Sequence, residues 1–188
     1  MSKSKLTNRK YGVEMELSVP YQTITFIQDE VQQTMSIDNH TDVAVYLRNE
    51  TGVEVYAESY NHRTRAYWKI VSDSSLNGGH RSFALELVSP PMVGEDGFRQ
   101  LKAICEGLNK LGAVINTSHG LHIHTDVNDW KRSVRRAERR TGRAKSSELN
   151  LNTKKVAHLL DIYGKYESVL FSLQPKSRMK QYGGFNQC

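Results

Sequence analysis

The sequence predicts an α+β protein built on a mostly antiparallel sheet. Three observations carry that expectation. Short stretches of the early chain alternate apolar and polar residues at period two. Turn-like clusters and the pair Pro90–Pro91 separate those stretches, and the later chain repeats apolar residues at steps of three and four.

The elements follow in order. In "RKYGVEMELSV", residues 9–19, Val13, Met15, Leu17 and Val19 point one way and Glu14, Glu16 and Ser18 the other, a half-buried strand. Residues 23–37 read weakly as a helix. "TDVAVYL" and "GVEVYAESY" read as two strands joined by the turn-like "RNETG". "AYWKIVSD" is a strand that ends at Asp73 in the polar turn "SDSSLNGGH", and "FALELVSPP" is a strand closed by its prolines. Over residues 95–112 the stripe Phe98, Leu101, Cys105 and Leu108 predicts an amphipathic helix, with Gly112 as its stop. "GLHIHTDV" returns to alternation, with Leu121, Ile123 and Val127 toward the core. Residues 128–148 read as a charged helix. Residues 153–173 form the strongest helix, with the stripe Val156, Leu159, Leu160, Tyr163, Tyr166, Leu170 and Leu173.

With 188 residues, 38% of them hydrophobic, the chain suits a single domain with its own core. No run approaches the length of a membrane span, and "MSKSKLTNRK" lacks the apolar centre of a secretion signal. Two cysteines, Cys105 and Cys188, suggest neither a disulfide framework nor a metal knuckle, so a reducing, cytoplasmic setting is expected. The net charge of +6 is local: residues 131–145, "KRSVRRAERRTGRAK", hold eight Lys and Arg against Glu138, and the remainder carries 18 basic and 19 acidic residues.

Three strands share an unusual polar face. Glu14 and Glu16 lie opposite the apolar set of the first, Glu86 opposite Phe83, Leu85 and Leu87, and His122, His124 and Asp126 opposite Leu121 and Ile123. Crowded carboxylates repel and raise each other's pKa unless a cation neutralises them. Oxygen donors with a few imidazoles suit Mg²⁺ or Mn²⁺, and hence phosphate chemistry. The same alternation also describes a solvated face of an antiparallel sheet. An HxH pair occurs in zinc hydrolases as well, but here its partners are glutamates on distant strands. His119 falls outside the HxH register and is expected to face solvent or to support the site from behind. His40, His62, His80 and His158 share no pattern.

"YGVEMEL", "WKIVSDSSL", "ELVSPP" and "NTSHGLHIH", in that order, resemble the amidoligase family. These are carboxylate–amine ligases of the glutamine synthetase and glutamate–cysteine ligase superfamily. The resemblance spans residues 11 to about 178 and includes the helix ending "SLQPKSR". It implies a curved sheet with helices packed on one face and ATP with Mg²⁺ or Mn²⁺ on the other. The implied reaction joins a carboxylate to an amine through an acyl phosphate. By motif position Glu14, Glu16 and Glu86 resemble metal ligands, and His122 resembles a ligand of metal or nucleotide phosphate. His124 would lie near the ATP phosphates. Asp73 and Ser75 match a segment at the substrate or nucleotide edge, and Arg178 would contact phosphate or the substrate carboxylate.

Family members also carry a later strand that adds a glutamate and an arginine, and nothing after "LHIH" matches it. The resemblance therefore implies a domain incomplete at its C-terminus. Such a domain is either inactive or completed by a second chain, within an oligomer or a split enzyme. Otherwise Arg178 or an arginine of 131–145 takes over the role. The alternative function is a catalytically inactive amidoligase-like domain that binds nucleic acid or protein. Residues 131–145 could contact nucleic acid, but their charges surround a helix and only Trp130 offers a stacking ring, so a solvated helix or mobile insertion is favoured. A compact form of this kind suits a phage-encoded protein acting in a host cytoplasm.

Overall fold

In a computed structural model, residues 8–28, 30–127 and 153–172 are described. The basic segment 131–145, the helix expected over 128–148 and Arg178 lie outside the described residues. The chain divides into two compact units, Met1–Thr125 and Asp126–Cys188.

The first unit runs β1 (Tyr11–Pro20), β2 (Gln22–Gln28), β3 (Val31–Ile37), α1 (His40–Thr51), β4 (Val55–Ala57), β5 (Trp68–Val71), β6 (Ser82–Val88), α2 (Gly94–Lys110) and β7 (Leu121–Thr125). Five strands form one sheet in the order β4-β5-β6-β1-β7, and β2 and β3 pair separately. Only β4 and β5 run parallel; the other pairings are antiparallel. The sheet is thus mixed but mostly antiparallel. In the second unit the described element is α3 (Thr153–Ser172), in the place the apolar repeat predicts. Leu159 and Leu160 of its stripe are exposed. Among the described residues no helix is long and apolar enough to cross a membrane.

Alternation decides the faces of the main sheet. Val13, Leu17 and Val19 of β1, Leu85 and Leu87 of β6, and Trp68 and Ile70 of β5 enter one core. Onto it pack Val43, Ala44 and Leu47 of α1 and Ile104 and Leu108 of α2. The Trp68 indole N–H donates to Gln100 Oε1 of α2 at 3.2 Å, which satisfies the polar atom of a fully buried ring. Lys110 and Glu50 tie α2 to α1.

Four expectations are corrected. Residues 23–37 form the β2–β3 hairpin, not a helix. The run Thr23, Ile24, Thr25 is β-branched and disfavours helix, and Glu30 takes the left-handed turn at φ 64°. "TDVAVYL" is helical, because Asn39 starts α1 with a capping box: its side chain accepts from Thr41 N and Asp42 N, and Asp42 accepts from Asn39 N. The strand expected over "GVEVYAESY" shrinks to the three residues of β4. On α2 the inward face is Gly97, Ile104, Gly107 and Leu108, while Phe98 and Cys105 are exposed. The glycines, which an apolar stripe overlooks, are the points of closest approach. A Cβ at Gly97 would come 2.5 Å from Met92 Cβ, and one at Gly107 would come 2.9 Å from Leu47 Cδ2.

Ser89 of "VSPP" closes the β1–β6 ladder. Its N–H donates to Val13 O, and its buried hydroxyl accepts from Val13 N at 2.8 Å where the chain turns off at Pro90. Ser89→Ala leaves the Val13 N–H without that acceptor. It is expected to cost about 1–3 kcal/mol, read as a lower urea midpoint at unchanged m.

Candidate functional site: an acidic sheet face flanked by imidazoles

Opposite the core, the register brings the polar residues of three strands together. Glu16 pairs directly with Glu86, and Glu14 with His122. Directly opposed residues of an antiparallel pair have Cβ atoms about 5 Å apart, so these side chains share one patch. The His122 Nδ1 lies 3.2 Å and the His124 Nε2 3.1 Å from the same Glu14 oxygen, and His122 Nε2 lies 3.9 Å from Glu16. Asp73 follows β5 on this side, where its carboxylate accepts from Ser75 N at 2.8 Å. Glu14, Glu16, Glu86, His122 and Asp73 are thus neighbours, with Ser75 bonded to the last. Asp126 lies beyond the end of β7.

The electrostatics differ among the acids. Burial pushes the Glu14 carboxyl up, but hydrogen bonds from His124 and His122, and their charges, outweigh it and hold it below the ordinary range. Burial raises Glu86, and the charges of Glu14, Asp73 and Glu16 raise it further against the weaker pull of His122. The Asp73 carboxyl is lowered by its bonds from Ser75.

Glu16 is aimed by backbone. Its N–H donates to Gly120 O at 3.0 Å, and the Gly120 N–H donates back to its carboxylate. A Cβ at Gly120 would stand 3.1 Å from Glu16 Oε2 and 3.4 Å from His122 Nε2, so the glycine before the HxH pair makes room for both. His119 is buried, so of its two expected placements the solvent-facing one falls and the supporting one, behind the acids, holds. Asn116 N donates to its Nδ1 at 3.0 Å, so the proton sits on Nε2, 3.2 Å from Ser18 Oγ. Burial lowers its pKa against a bond to the Asn77 carbonyl and the charge of Glu16. Asn77 is the seam of this end of the sheet. Its N–H donates to Ser118 Oγ, and its carbonyl accepts from Asn116 Nδ2 and Ser18 Oγ. The polar residues of "SLNGG" and "NTSHG" therefore sew two loops together beside the acids.

Sequence reasoning missed Glu58 and Lys69. Glu58 accepts from Arg65 through two nitrogens, from the Tyr67 hydroxyl at 2.6 Å and from Asn61 Nδ2 at 2.8 Å. Those bonds, Arg65 first, hold its carboxyl down to about 2. A lysine inside the wholly buried run "WKIV" was the available signal for Lys69. Because the folded pKa of Glu58 lies below the ordinary value of 4.5, its contribution is present above that pH and fades as pH falls toward about 2. The melting-temperature gap between wild type and Glu58→Gln should therefore be widest near neutrality and close in acid. A gap that persists unchanged at pH 2 would contradict this.

Among the described residues no three His, Cys, Asp or Glu side chains are gathered closely enough to enclose a metal ion as they stand. The donor chemistry nevertheless fits a hard divalent cation: several carboxylates with imidazole neighbours, the Glu86 carboxyl being held protonated more readily by its burial and then by its fellow acids. For Glu14 to accept a cation, the two imidazoles on its oxygen must turn aside.

The fold and this face define a sheet protein with an acidic, imidazole-flanked candidate catalytic surface. Residues 7–147 match the model of a family described as "Putative amidoligase enzyme", and the chain belongs to that amidoligase family. No curated protein and no solved structure matches the chain.

Proposed function

We propose that the protein is an ATP- and divalent-cation-dependent ligase that joins a carboxylate to an amine through an acyl phosphate. The observation that carries this reading is the alignment of Glu14, Glu16, Glu86 and His122 on one sheet face in a chain of the amidoligase family. In this reading Glu14, Glu16 and Glu86, with His122, hold Mg²⁺ or Mn²⁺. His122 and His124 face the ATP phosphates, Asp73 and Ser75 border the substrate, and Arg178 meets phosphate or the substrate carboxylate. The reading also implies a sheet curved in the manner of glutamine synthetase.

A carboxylate is a poor electrophile and becomes reactive once phosphorylated. A bound cation supplies neutralisation of the two anions that must meet. The chain's own residues supply the rest. The Gly120 N–H and carbonyl hold Glu16 in place before any ligand arrives. His122 and His124, more than half exposed, are free to exchange Glu14 for a phosphate oxygen.

The test is nucleotide binding with and without metal, followed by ADP release when amines and carboxylates are offered together. ATP binding that requires Mg²⁺ or Mn²⁺, with ADP release only when both substrates are present, is the expected outcome. Absence of nucleotide binding with either cation would sink the proposal.

A further inference from the structure

Segment 58–67, between β4 and β5, belongs to no regular element yet is fixed at both ends. Glu58 holds its ends together through Arg65 and Tyr67, and its N–H donates to Ile70 O. The middle is fixed from below. Lys69, 4% exposed, extends its ammonium to Asn61 O at 2.7 Å, Asn61 Oδ1 at 3.2 Å and Arg63 O at 3.1 Å. Three acceptors use all three ammonium hydrogens, so Lys69 is a strut, with none left for a ligand. Asn61 Oδ1 also accepts from Arg63 N.

The strut locates the segment. Lys69 alternates with the core residues Trp68 and Ile70, and its register partner on β6 is Val88, which is opposite Glu14 on β1. Lys69 therefore rises from the face that carries Glu14, Glu16 and Glu86. The backbone of Asn61 and Arg63, within reach of its ammonium, forms a wall on the β5 side of the acids. Glu58, Asn61, Arg65, Tyr67 and the Lys69 ammonium are engaged in holding the wall. The Arg63 guanidinium is exposed and has no partner among the described residues, and beside it Tyr60 and His62 pack edge to face with ring centroids 5.1 Å apart.

We propose that segment 58–67 is a preorganised specificity wall of the acidic face, in which Arg63 takes an anionic group of the substrate, a carboxylate or a phosphate. A cationic fork carried on an anchored backbone at the border of an acidic floor selects a ligand with separated features, an anionic end and a group that approaches the floor. Preorganisation matters because a loop already ordered loses little entropy on binding. The inference rests on the ligase reading for which group reacts, but not for the anion site itself.

The test uses the full chain with Mn²⁺ and two probes, tripolyphosphate and glutarate, in calorimetric titrations. Arg63→Ala should weaken one of them by on the order of tenfold to a hundredfold, the range of a charge-assisted hydrogen bond. Which probe responds tells phosphate from carboxylate. Arg63→Lys should recover part of the loss, and Mn²⁺ binding followed by electron paramagnetic resonance should not change. Glu58→Gln, which unpins the wall, should weaken the same probe and raise hydrogen exchange over 59–66. Arg63→Ala binding both probes as wild type does would overturn the proposal. So would an unaltered affinity in Glu58→Gln despite faster exchange. Loss of ATP binding alone, with Arg63-dependent anion binding intact, would defeat the ligase reading and leave the wall standing.

Discussion

Glu86→Gln is expected to raise the melting temperature of the cation-free protein at pH 8 by a few degrees while lowering the proposed ligase turnover about 100-fold or more. The two effects share one cause. Glu86 is partly buried opposite Glu16 and near Glu14 and Asp73, and its carboxyl sits above the ordinary range. The folded state thus holds that proton more tightly than the unfolded chain. Stability is given up as pH rises from the ordinary value of 4.5 through the raised one. A neutral amide of the same shape removes that loss and, with it, the charge proposed to attract a cation. The melting-temperature advantage of the variant should vanish near pH 4, where both chains carry an uncharged group. Added Mn²⁺ should stabilise the wild type and leave the variant nearly unmoved. Equal melting temperatures at pH 8 in chelator would refute the electrostatic account.

The second large effect is expected at Gly78. A Cβ there would come 2.6 Å from Ser82 O, 2.9 Å from Phe83 Cα and 3.0 Å from Ala84 N, all of them main-chain atoms at the start of β6. Backbone in a paired strand cannot step aside as a side chain would, so Gly78→Ala should cost about 2–3 kcal/mol. Its neighbour supplies the contrast. Gly79 has φ 79° and meets only Ser82 Oγ, at 3.5 Å, so Gly79→Ala should cost about 1–2 kcal/mol from backbone conformation alone. Urea unfolding of the pair separates crowding from torsion, and a Gly79 variant less stable than the Gly78 variant would reverse the assignment.

The acidic face was legible because period-two alternation is a local property that survives without knowledge of the partner strands. Glu14, Glu16, Glu86, His122 and His124 could be placed by counting, and the register then set them side by side. Three kinds of information lie outside an apolar count. "TDVAVYL" alternates well enough to pass for a strand, and only the reciprocal bonds of Asn39 and Asp42 make it a helix. The role of Gly97 and Gly107 depends on what packs against α2, which an apolar stripe does not encode. The wall over 58–67 is held by Glu58 and Lys69 through contacts between segments with no periodic signature, and "YNHRTRAYW" shows only an ordinary mixture of polar and aromatic residues.

β7 has one further property. Its apolar residues, Leu121 and Ile123, were expected in the core but are 61% and 67% exposed, so hydrophobic burial does little to choose between one alignment and the next. A slip of a single residue against β1 would turn the imidazoles away from Glu14 and offer leucine and isoleucine in their place. What indexes the strand is the loop before it: His119 buried against Ser18, and Gly120 bonded twice to Glu16. The detent that sets the histidines therefore lies outside the histidine strand, and loosening Ser18 or His119 would misalign the face without touching an acid or an imidazole on it.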